Sequence, residues 1–438
     1  MATPKRKSGF VEWLPEDQVV EDVFVSAIRR TYELHGFAHL FLRSVEPVDV
    51  LLRKDGDTNK EIYGVQRLQA ERDETVSMGL HFDLTVPFAR YVKDNAGHLS
   101  FPFKRYQIQR SWRGERPQKG RYREFIQADA DVVSRGPLPL AFDIELPALL
   151  IETMAALPVP PVTLRLNNVK ILEGFCQGLG IEDPSGTLRI VDKLDKIGAD
   201  GVRKILTESL QADQIDKLLA LADIETSDAS FAEQVRALGV THDRLEQGLD
   251  ELTEVMRGIG TPSRGQIVAC LRIARGLDYY TGTVFEGVME GHEGIGSVCS
   301  GGRYDRLAGD ELPGIGISIG VTRLLGILVD EGKLTGSRQT PTAVLVALNN
   351  DDHRPAAREL ARSLRDRGVA TEVFPQPLPY GKQIKYALNK GIPYVWFAEV
   401  DEAGVHKVKD LAAKQERPVD PATWTPPAEA LEPHVVKN

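Results

Sequence analysis

The sequence predicts an α+β chain: a β-rich, antiparallel part broken by a helical block, then a small α/β domain. Three observations carry that expectation. Arg105 to Arg113 and Glu124 to Val133 both alternate, and the stretch between them, Gly114-Glu115-Arg116-Pro117-Gln118-Lys119-Gly120, has turn chemistry, which predicts a long antiparallel hairpin. Apolar residues at helical spacing fill the region from about Glu182 to Gly258. After a polar linker at Gly332 to Pro341, short apolar strands alternate with amphipathic helices, as in a parallel or mixed sheet.

Taken in order, Pro15-Glu16-Asp17 suits a first helical turn: proline gives up an N–H that would go unsatisfied, and acids oppose the positive helix end. Val19, Val20, Val23, Phe24, Ala27, Ile28 and Tyr32 then recur at helical spacing until Gly36. Phe37 to Phe41 reads as a short strand and Arg53 to Lys60 as a polar loop. In the hairpin, period 2 puts Gln109, Ser111 and Arg113 on one face and Gln127, Asp129 and Asp131 on one face of the second strand. Polar faces in the middle of a folded chain need partners or a ligand. Pro137 to Leu157 reads as a helix, stopped by Pro158 to Pro161. In the helical block the apolar stripe is Val191, Leu194, Ile197, Leu206, Leu210, Leu218 and Leu219. Strand and turn signals return from Gln266 to Gly287, and the glycine-spaced run Gly314 to Gly320 precedes an apolar helix from Val321. In the last domain Ala343 to Leu348, Val369 to Phe374 and Tyr394 to Phe397 read as strands, with helices at Ala356 to Arg367 and Gln383 to Lys390. The tail, with Pro418, Pro421, Pro426 and Pro427, reads as loosely ordered.

A chain of 438 residues has room for three domains, at roughly 150 residues each. Its 42% hydrophobic content excludes wholesale disorder. Cys176, Cys270 and Cys299 are scattered, with no C-x-x-C pair, which excludes a disulfide framework or zinc ribbon and suits a reducing compartment. Lys5, Arg6 and Lys7 are followed by no apolar run, so a secretory leader is not expected, and no apolar stretch is long enough to span a bilayer. The expected location is the cytoplasm.

The net charge of −9 argues against a generic nucleic-acid or membrane-surface binder, but it is unevenly spread. Phe101 to Arg123 carries eight basic residues against the single acid Glu115. Glu182 to Glu254 carries 17 acids and 8 bases. The last segment, from Pro341, is balanced at 13 and 13.

No Gly-x-x-x-x-Gly-Lys loop and no Gly-x-Gly-x-x-Gly opening a helix occurs, so a nucleotide would have to be held by arginines, whose forks pair with phosphate and whose planes stack on bases. Arg113, Arg121, Arg275 and Arg323 are the candidates, against the plainer reading that surface arginines are solvated or pair with nearby acids. Asp83, in His81-Phe82-Asp83-Leu84-Thr85, suits a helix or turn cap as well as a ligand ammonium. Tyr279 and Tyr280 suit a pocket wall, or one core and one surface position of a strand. The glycines near Gly301 and Gly316 suit tight turns, or a ligand close to the backbone.

Together these segments resemble histidyl-tRNA synthetases. Arg275-Gly-Leu-Asp-Tyr-Tyr-Thr-Gly-Thr-Val-Phe-Glu286 is similar to that family's histidine-binding loop. Phe103 to Val133, with Arg113-Gly-Glu-Arg-Pro-Gln-Lys-Gly-Arg-Tyr-Arg-Glu-Phe125 inside it, resembles motif 2 of class II synthetases. Gly314 to Leu325 resembles motif 3, Asp83 to Arg90 the amino-acid-binding turn, and Pro47 stands for the proline of motif 1. The resemblance runs from about Gly9 to Glu416. It implies a class II catalytic domain over 1–330, an antiparallel sheet flanked by helices, interrupted by a helical insertion at 167–260. A linker at 331–341, an anticodon-binding α/β domain at 342–418 and a loose tail at 419–438 would follow.

The implied reaction joins histidine to ATP as histidyl-adenylate and then passes the histidyl group to the 3′ end of tRNA(His). By position in the motifs, Arg113 and Arg275 would hold the α-phosphate and steady its transition state. Arg121 would reach the β- and γ-phosphates, Arg323 the γ-phosphate and adenine, and Glu115 would also face ATP. Mg²⁺ would bridge phosphates rather than sit in a protein cage. Asp83 would bind the substrate ammonium with Thr85 and Gln127 beside it. Asp131 and Tyr280 would read the imidazole, with Tyr279 and Tyr304 lining the pocket. Arg116 and Gln118 would meet the tRNA acceptor end. The family also implies a homodimer. Two other readings are a synthetase-like regulatory subunit of ATP phosphoribosyltransferase and a non-catalytic RNA-sensing paralogue; the first generally lacks the signature loop and the C-terminal domain, the second some of Arg113, Arg275 and Arg323, and all are present here.

The chain departs from the family pattern in places. His81-Phe82 stands where many relatives have arginine and another residue, and Asp replaces Glu at 83 and 131, keeping the carboxylate. The insertion is acidic and shows no basic face for RNA.

Overall fold

The computed structural model describes residues 7–52, 60–69, 75–274, 279–306, 312–400 and 404–437. In chain order the first elements are α1 (Pro15–Leu34), β1 (Ala38–His39), β2 (Val45–Pro47), α2 (Val48–Leu51), β3 (Gly64–Val65), β4 (Met78–Leu80), α3 (Thr85–Asn95), β5 (Phe103–Trp112), β6 (Glu124–Val133), α4 (Ala141–Ala156) and β7 (Val162–Asn168). The helical block comprises α5 (Val169–Gly178), α6 (Pro184–Val191), α7 (Leu194–Leu206), α8 (Ala212–Ala222), β8 (Glu225–Thr226), α9 (Phe231–Ala237) and α10 (Asp243–Ile259). Then come β9 (Gln266–Cys270), β10 (Thr283–Met289), β11 (Cys299–Tyr304), β12 (Gly314–Gly320) and α11 (Val321–Asp330). The last part holds β13 (Leu334–Gly336), β14 (Val344–Ala347), α12 (Arg354–Asp366), β15 (Thr371–Val373), α13 (Tyr380–Lys390), β16 (Tyr394–Phe397), β17 (His406–Asp410), β18 (Gln415–Val419), α14 (Ala428–Leu431) and β19 (Val435–Lys437).

The chain forms two compact units, residues 1–11 with 24–327 and residues 12–23 with 328–438. In the first, nine strands form one sheet in the order β1-β5-β6-β12-β11-β10-β7-β9-β8. The predicted hairpin is its spine: β5 and β6 pair antiparallel in register from Phe103↔Val133 to Trp112↔Glu124. β6, β12, β11, β10 and β7 continue the antiparallel pairing. A sheet of this kind needs one face covered, and α4 supplies apolar cover with Leu146, Leu149, Leu150 and Met154 buried. The helical block is not wholly helical, because β8 adds a strand to the sheet edge by pairing with β9. Its helices bury the predicted Val191, Leu194, Leu206, Leu218 and Leu219, whereas Ile197 is exposed beside the non-helical Gly198. A separate sheet pairs β2, β4 and β3.

The second unit has five strands in the order β15-β14-β16-β17-β18, parallel for the first three and antiparallel beyond. β14 and β16 are central and nearly all apolar, so they are buried on both faces, with Val344, Val346, Val395 and Trp396 fully enclosed.

Three expectations need correction. The strand at Phe37 to Phe41 shrinks to Ala38–His39: Leu40 makes a backbone bond to the Tyr106 carbonyl at 2.8 Å, and Phe41 is exposed. The helix expected from Pro137 begins only at Ala141, after Pro137 and Pro139. The linker and tail are ordered together: β13 pairs with β19 antiparallel, and the buried Arg338 donates to the carbonyls of Thr340, Pro341, Ala430 and Leu431. Proline spacing suggested looseness there because it shows no ladder donors; it could not show that a distant arginine would collect the freed carbonyls.

Arg338→Ala should destabilise the second unit by about 3 kcal/mol, since several charge-assisted hydrogen bonds from a buried guanidinium to part-buried carbonyls are lost at once. Urea unfolding followed by tryptophan fluorescence reads this through Trp396 and Trp424. An unchanged midpoint would mean that the tail is held by other contacts.

Candidate active site

Strand alternation builds the site. In β5, Arg105, Gln107, Gln109 and Ser111 point to one face, and register places Asp131, Asp129 and Gln127 of β6 opposite the first three. β12 continues the rows, with Gly316 opposite Asp131, Ser318 opposite Asp129 and Gly320 opposite Gln127. β11 adds Gly302 opposite Gly316 and Ser300 opposite Ser318. The face is polar and buried: Arg105 and Gln107 have no exposure, and Asp129 and Asp131 have 2% each.

Two adjoining cavities open on this face. The larger, about 970 Å³, is lined by Arg113, Glu115, Arg121, Gln127, Ser300, Ser318, Gly320 and Arg323 among others. The smaller, about 240 Å³, is lined by Thr85, Asp129, Asp131, Tyr279, Tyr280, Ser300, Gly302, Tyr304, Gly316 and Ser318 among others. Ser300 and Ser318 belong to both walls.

In the larger cavity the arginines are held by oxygens rather than left loose. Arg113 donates from Nε to the Phe82 carbonyl at 3.1 Å and lies over the Phe125 ring at 5.0 Å. Arg121 is paired with Glu115 at 3.4 Å, and Arg323 donates to the Ile295 carbonyl. Gly120 takes φ +71 in the turn Gln118–Arg121, which brings the second strand back toward the cavity. The result is a cationic wall with an aromatic plate, suited to a polyphosphate and a base.

The smaller cavity has the opposite charge. Arg105 meets Asp131 Oδ2 at 2.7 Å and lies over the Phe88 ring at 4.0 Å. Tyr304 donates from its hydroxyl to Asp131 Oδ1 at 2.8 Å. Asp83 accepts from the Val86 N–H at 3.0 Å, so it caps the first turn of α3 and is 93% enclosed (7% exposed) while Thr85 beside it lines the cavity. Both readings of Asp83 from sequence, cap and site acid, are compatible with this position. Burial first, and then Asp131 and Asp83, push the Asp129 carboxyl up to about 7; Arg105 and the Ser318 hydroxyl oppose the rise. Burial and the neighbouring carboxylates also hold the Tyr280 and Tyr304 phenols well above their usual range, so both stay as O–H donors.

The glycines serve the site's own side chains. A Cβ at Gly316 would collide with Asp131 Oδ1, and one at Gly302 would press on the Tyr280 ring. Neither is a tight turn, since both lie in strands, and both line the smaller cavity. Tyr279 and Tyr280 both line the smaller cavity, their rings 4.8 Å apart at 66°, where adjacent strand tyrosines would diverge.

Comparisons with known proteins agree with this arrangement. Residues 9–324 match the family model described as histidyl-tRNA synthetase, and residues 342–423 match an anticodon binding domain. The chain belongs to the histidyl-tRNA synthetase family. It is 51% identical to a histidine–tRNA ligase of Micrococcus luteus over 98% of each chain. It is 52% identical to one of Thermobifida fusca, covering 96% of this chain and 98% of that one. The crystal structure of histidyl-tRNA synthetase from Nostoc sp. PCC 7120 superposes with a TM-score of 0.85 at 33% identity, over 96% of this chain and 97% of that chain.

Within that synthetase fold, the residues singled out from sequence fall into three groups. Arg113, Glu115, Arg121, Gln127 and Arg323 line the larger cavity. Thr85, Asp131, Tyr279, Tyr280 and Tyr304 line the smaller, with Asp83 at its edge through Thr85. Arg116 and Gln118 are exposed on the hairpin loop and line neither. Arg275 lies outside the described residues. Sequence reading assigned no role to Asp129, Arg105, Ser300 or Ser318. Asp129 and Arg105 were within reach, because Asp129 lies two residues from Gln127 and from Asp131, and Arg105 lies four from Gln109 on the same strand face. The serines carry no such signal, since only strand register across β12 and β11 brings them to the site.

Asp129 has a consequence for stability. Its folded-state pKa, about 7, lies above the unfolded carboxyl near 3.8, so the stability it contributes is present at low pH and lost as pH rises through 7. Asp129→Asn should therefore melt at a higher temperature than the wild type at pH 8, with the gap closing toward pH 5. Differential scanning calorimetry across that range checks it; a variant less stable at pH 8 would contradict the assignment.

Proposed function

We propose that the protein activates histidine with ATP and transfers the histidyl group to the 3′ end of tRNA(His), as a histidine–tRNA ligase. The observation that carries this reading is the shared wall of Ser300 and Ser318: an arginine-lined cavity for a nucleotide directly adjoins a carboxylate-lined cavity for a cationic amino acid. Full-length relatives named histidine–tRNA ligase at about 50% identity support the ligase over a regulatory subunit or an RNA-sensing paralogue.

In the first step a carboxylate oxygen of histidine attacks the α-phosphorus of ATP. The bond from that phosphorus to the bridging oxygen breaks, and pyrophosphate leaves with the electron pair. Charge gathers on the α-phosphate oxygens, so fixed cations rather than a proton donor lower the barrier. Arg113 holds the α-phosphate, and Arg275, by its place in the signature motif, steadies the charge that develops there. Arg121 reaches the β- and γ-phosphates, Arg323 the γ-phosphate and adenine, and Glu115 completes the nucleotide wall. In the second step a terminal ribose hydroxyl of the tRNA attacks the acyl carbon; the bond from that carbon to the phosphate oxygen breaks, the hydroxyl proton passes to the departing phosphate, and AMP leaves. Arg116 and Gln118, exposed on the hairpin loop, meet the acceptor end.

The smaller cavity reads the amino acid. Asp83, Thr85 and Gln127 take the ammonium. Asp131 and Tyr280 read the imidazole, with Tyr279 and Tyr304 enclosing it. A substrate without ring nitrogens leaves these buried groups unpaired, which gives strong discrimination. Mg²⁺ enters with ATP as part of the substrate. The protein side of the larger cavity is chiefly cationic and holds the acid Glu115, which fits a metal carried on phosphates rather than caged by the chain.

The protein works in the cytoplasm as a homodimer. Exposed Val65, Leu68 and Val76, in and beside the sheet of β2, β4 and β3, are apolar surface that a second copy would cover. Residues 1–330, with the insertion at 167–260, are the catalytic domain; 331–341 are the linker and 342–418 read the anticodon.

The purified protein should catalyse ATP–pyrophosphate exchange with histidine and with no other amino acid. Absence of exchange, or equal exchange with others, would overturn the assignment. Arg275→Ala should lower kcat by about 100-fold or more while leaving the KM for histidine within a few-fold, as expected for a group that acts on the transition state. A change confined to KM would remove that role.

A further inference from the structure

The three acids around the smaller cavity are not equivalent. Asp131 accepts the Tyr304 hydroxyl at Oδ1 and forms an ion pair with Arg105 at Oδ2. Asp83 spends Oδ1 on the Val86 N–H. Asp129 is as buried as Asp131, yet among the described residues its Oδ1 accepts no hydrogen bond. A buried carboxylate oxygen without a donor is expensive unless a ligand supplies one.

Register says which part of a ligand that is. Along β6, Gln127 lines the larger cavity, Asp131 the smaller, and Asp129 lies between them. Across the sheet Asp129 is level with Ser318 and Ser300, the two residues common to both walls. An amino acid with its ring beside Asp131 and its carboxylate among the arginines must set its α-carbon at that shared row. The group carried there besides the carboxylate is the ammonium. A second acceptor waits beside it. Gln127 donates its Nε2 to the Ser318 hydroxyl at 2.9 Å, which fixes the amide, and its Oε1 is buried without a partner among the described residues.

We infer that Asp129 is a substrate-binding residue whose Oδ1 accepts a hydrogen bond from the α-ammonium of the amino acid, alongside Gln127 Oε1. The inference rests on the reading that the smaller cavity takes histidine, and it adds a residue to that site. The single guanidinium of Arg105 is drawn to Asp131, so the site's remaining negative charge is left for the substrate's cation. The carboxyl's raised pKa agrees with this, since an acid without a paired cation is the one burial neutralises.

The test uses the full chain and two probes, histidine and imidazole-propionate, which keeps the ring and carboxylate but lacks the ammonium. Asp129→Asn should raise the calorimetric Kd for histidine about 10- to 100-fold, the loss expected for one charge-assisted hydrogen bond. The Kd for imidazole-propionate and the KM for ATP should stay within two-fold. An unchanged Kd for histidine would overturn the inference. So would an equal loss for both probes, which would mean a ring contact or a purely structural role. A wild-type protein that binds no histidine would instead sink the function reading, and this inference with it.

Discussion

The site depends on one buried guanidinium. Arg105 is fully enclosed, stacked on Phe88, and set against Asp131 at 2.7 Å. Without a cation there, Asp131 and Asp129 would be two buried carboxylates with nothing to offset desolvation, and one or both would be protonated. Arg105 also starts a chain of side-chain hydrogen bonds, from its own Nη1 to Gln107 at 3.3 Å and from Gln107 to Gln109 at 2.6 Å, which ends on the Leu42 carbonyl and Ser44. Truncating it would leave a buried charge and a broken network together, so its role is to position the pocket rather than to touch substrate.

That constraint explains the composition of the neighbouring strands. A row of charged and amide side chains on a sheet face needs space, and glycine supplies it in β11 and β12. Gly302 and Gly316 are in extended strands, where glycine is otherwise unfavourable because it adds no packing. They are tolerated because the Tyr280 ring and the Asp131 carboxylate occupy the volume a side chain would need. The same rows separate two chemistries within a few ångströms: arginines toward the hairpin turn, acids toward the sheet centre. The large charge asymmetry of the chain is thus local and functional, while the net charge of −9 mostly reflects the helical block.

Legibility from sequence varied with the kind of signal. The hairpin was plain, because ten-residue alternating strands with turn residues between them have few other solutions. So was the polar face holding Gln127 and Asp131, which follows from period 2 alone. The long helices were also clear: of the α1 stripe, Val20, Phe24, Ile28 and Tyr32 are fully buried, while Val19, Val23 and Ala27 at its margins are half-buried. Where the reading went wrong, the deciding partner was remote in sequence. The tail looked loose because four prolines remove ladder donors, yet Arg338, some 90 residues earlier, binds its carbonyls. The tyrosine pair looked like one core and one surface residue, yet a turn before β10 lets both rings enter one cavity.

Sequence alone therefore determined the local facts: element types, the hairpin register face, the concentration of arginine beside it, and the family motifs. These rest on periodicity and on neighbours a few residues apart. Only the tertiary structure decided which acid gains an arginine and a tyrosine hydroxyl as partners. Asp129 and Asp131 are the same residue type, two positions apart, on the same face. What separates them is that Arg105 from β5 and the Tyr304 hydroxyl from β11 converge on one of them, and the ion pair is a property of that convergence rather than of the strand that carries the carboxylates.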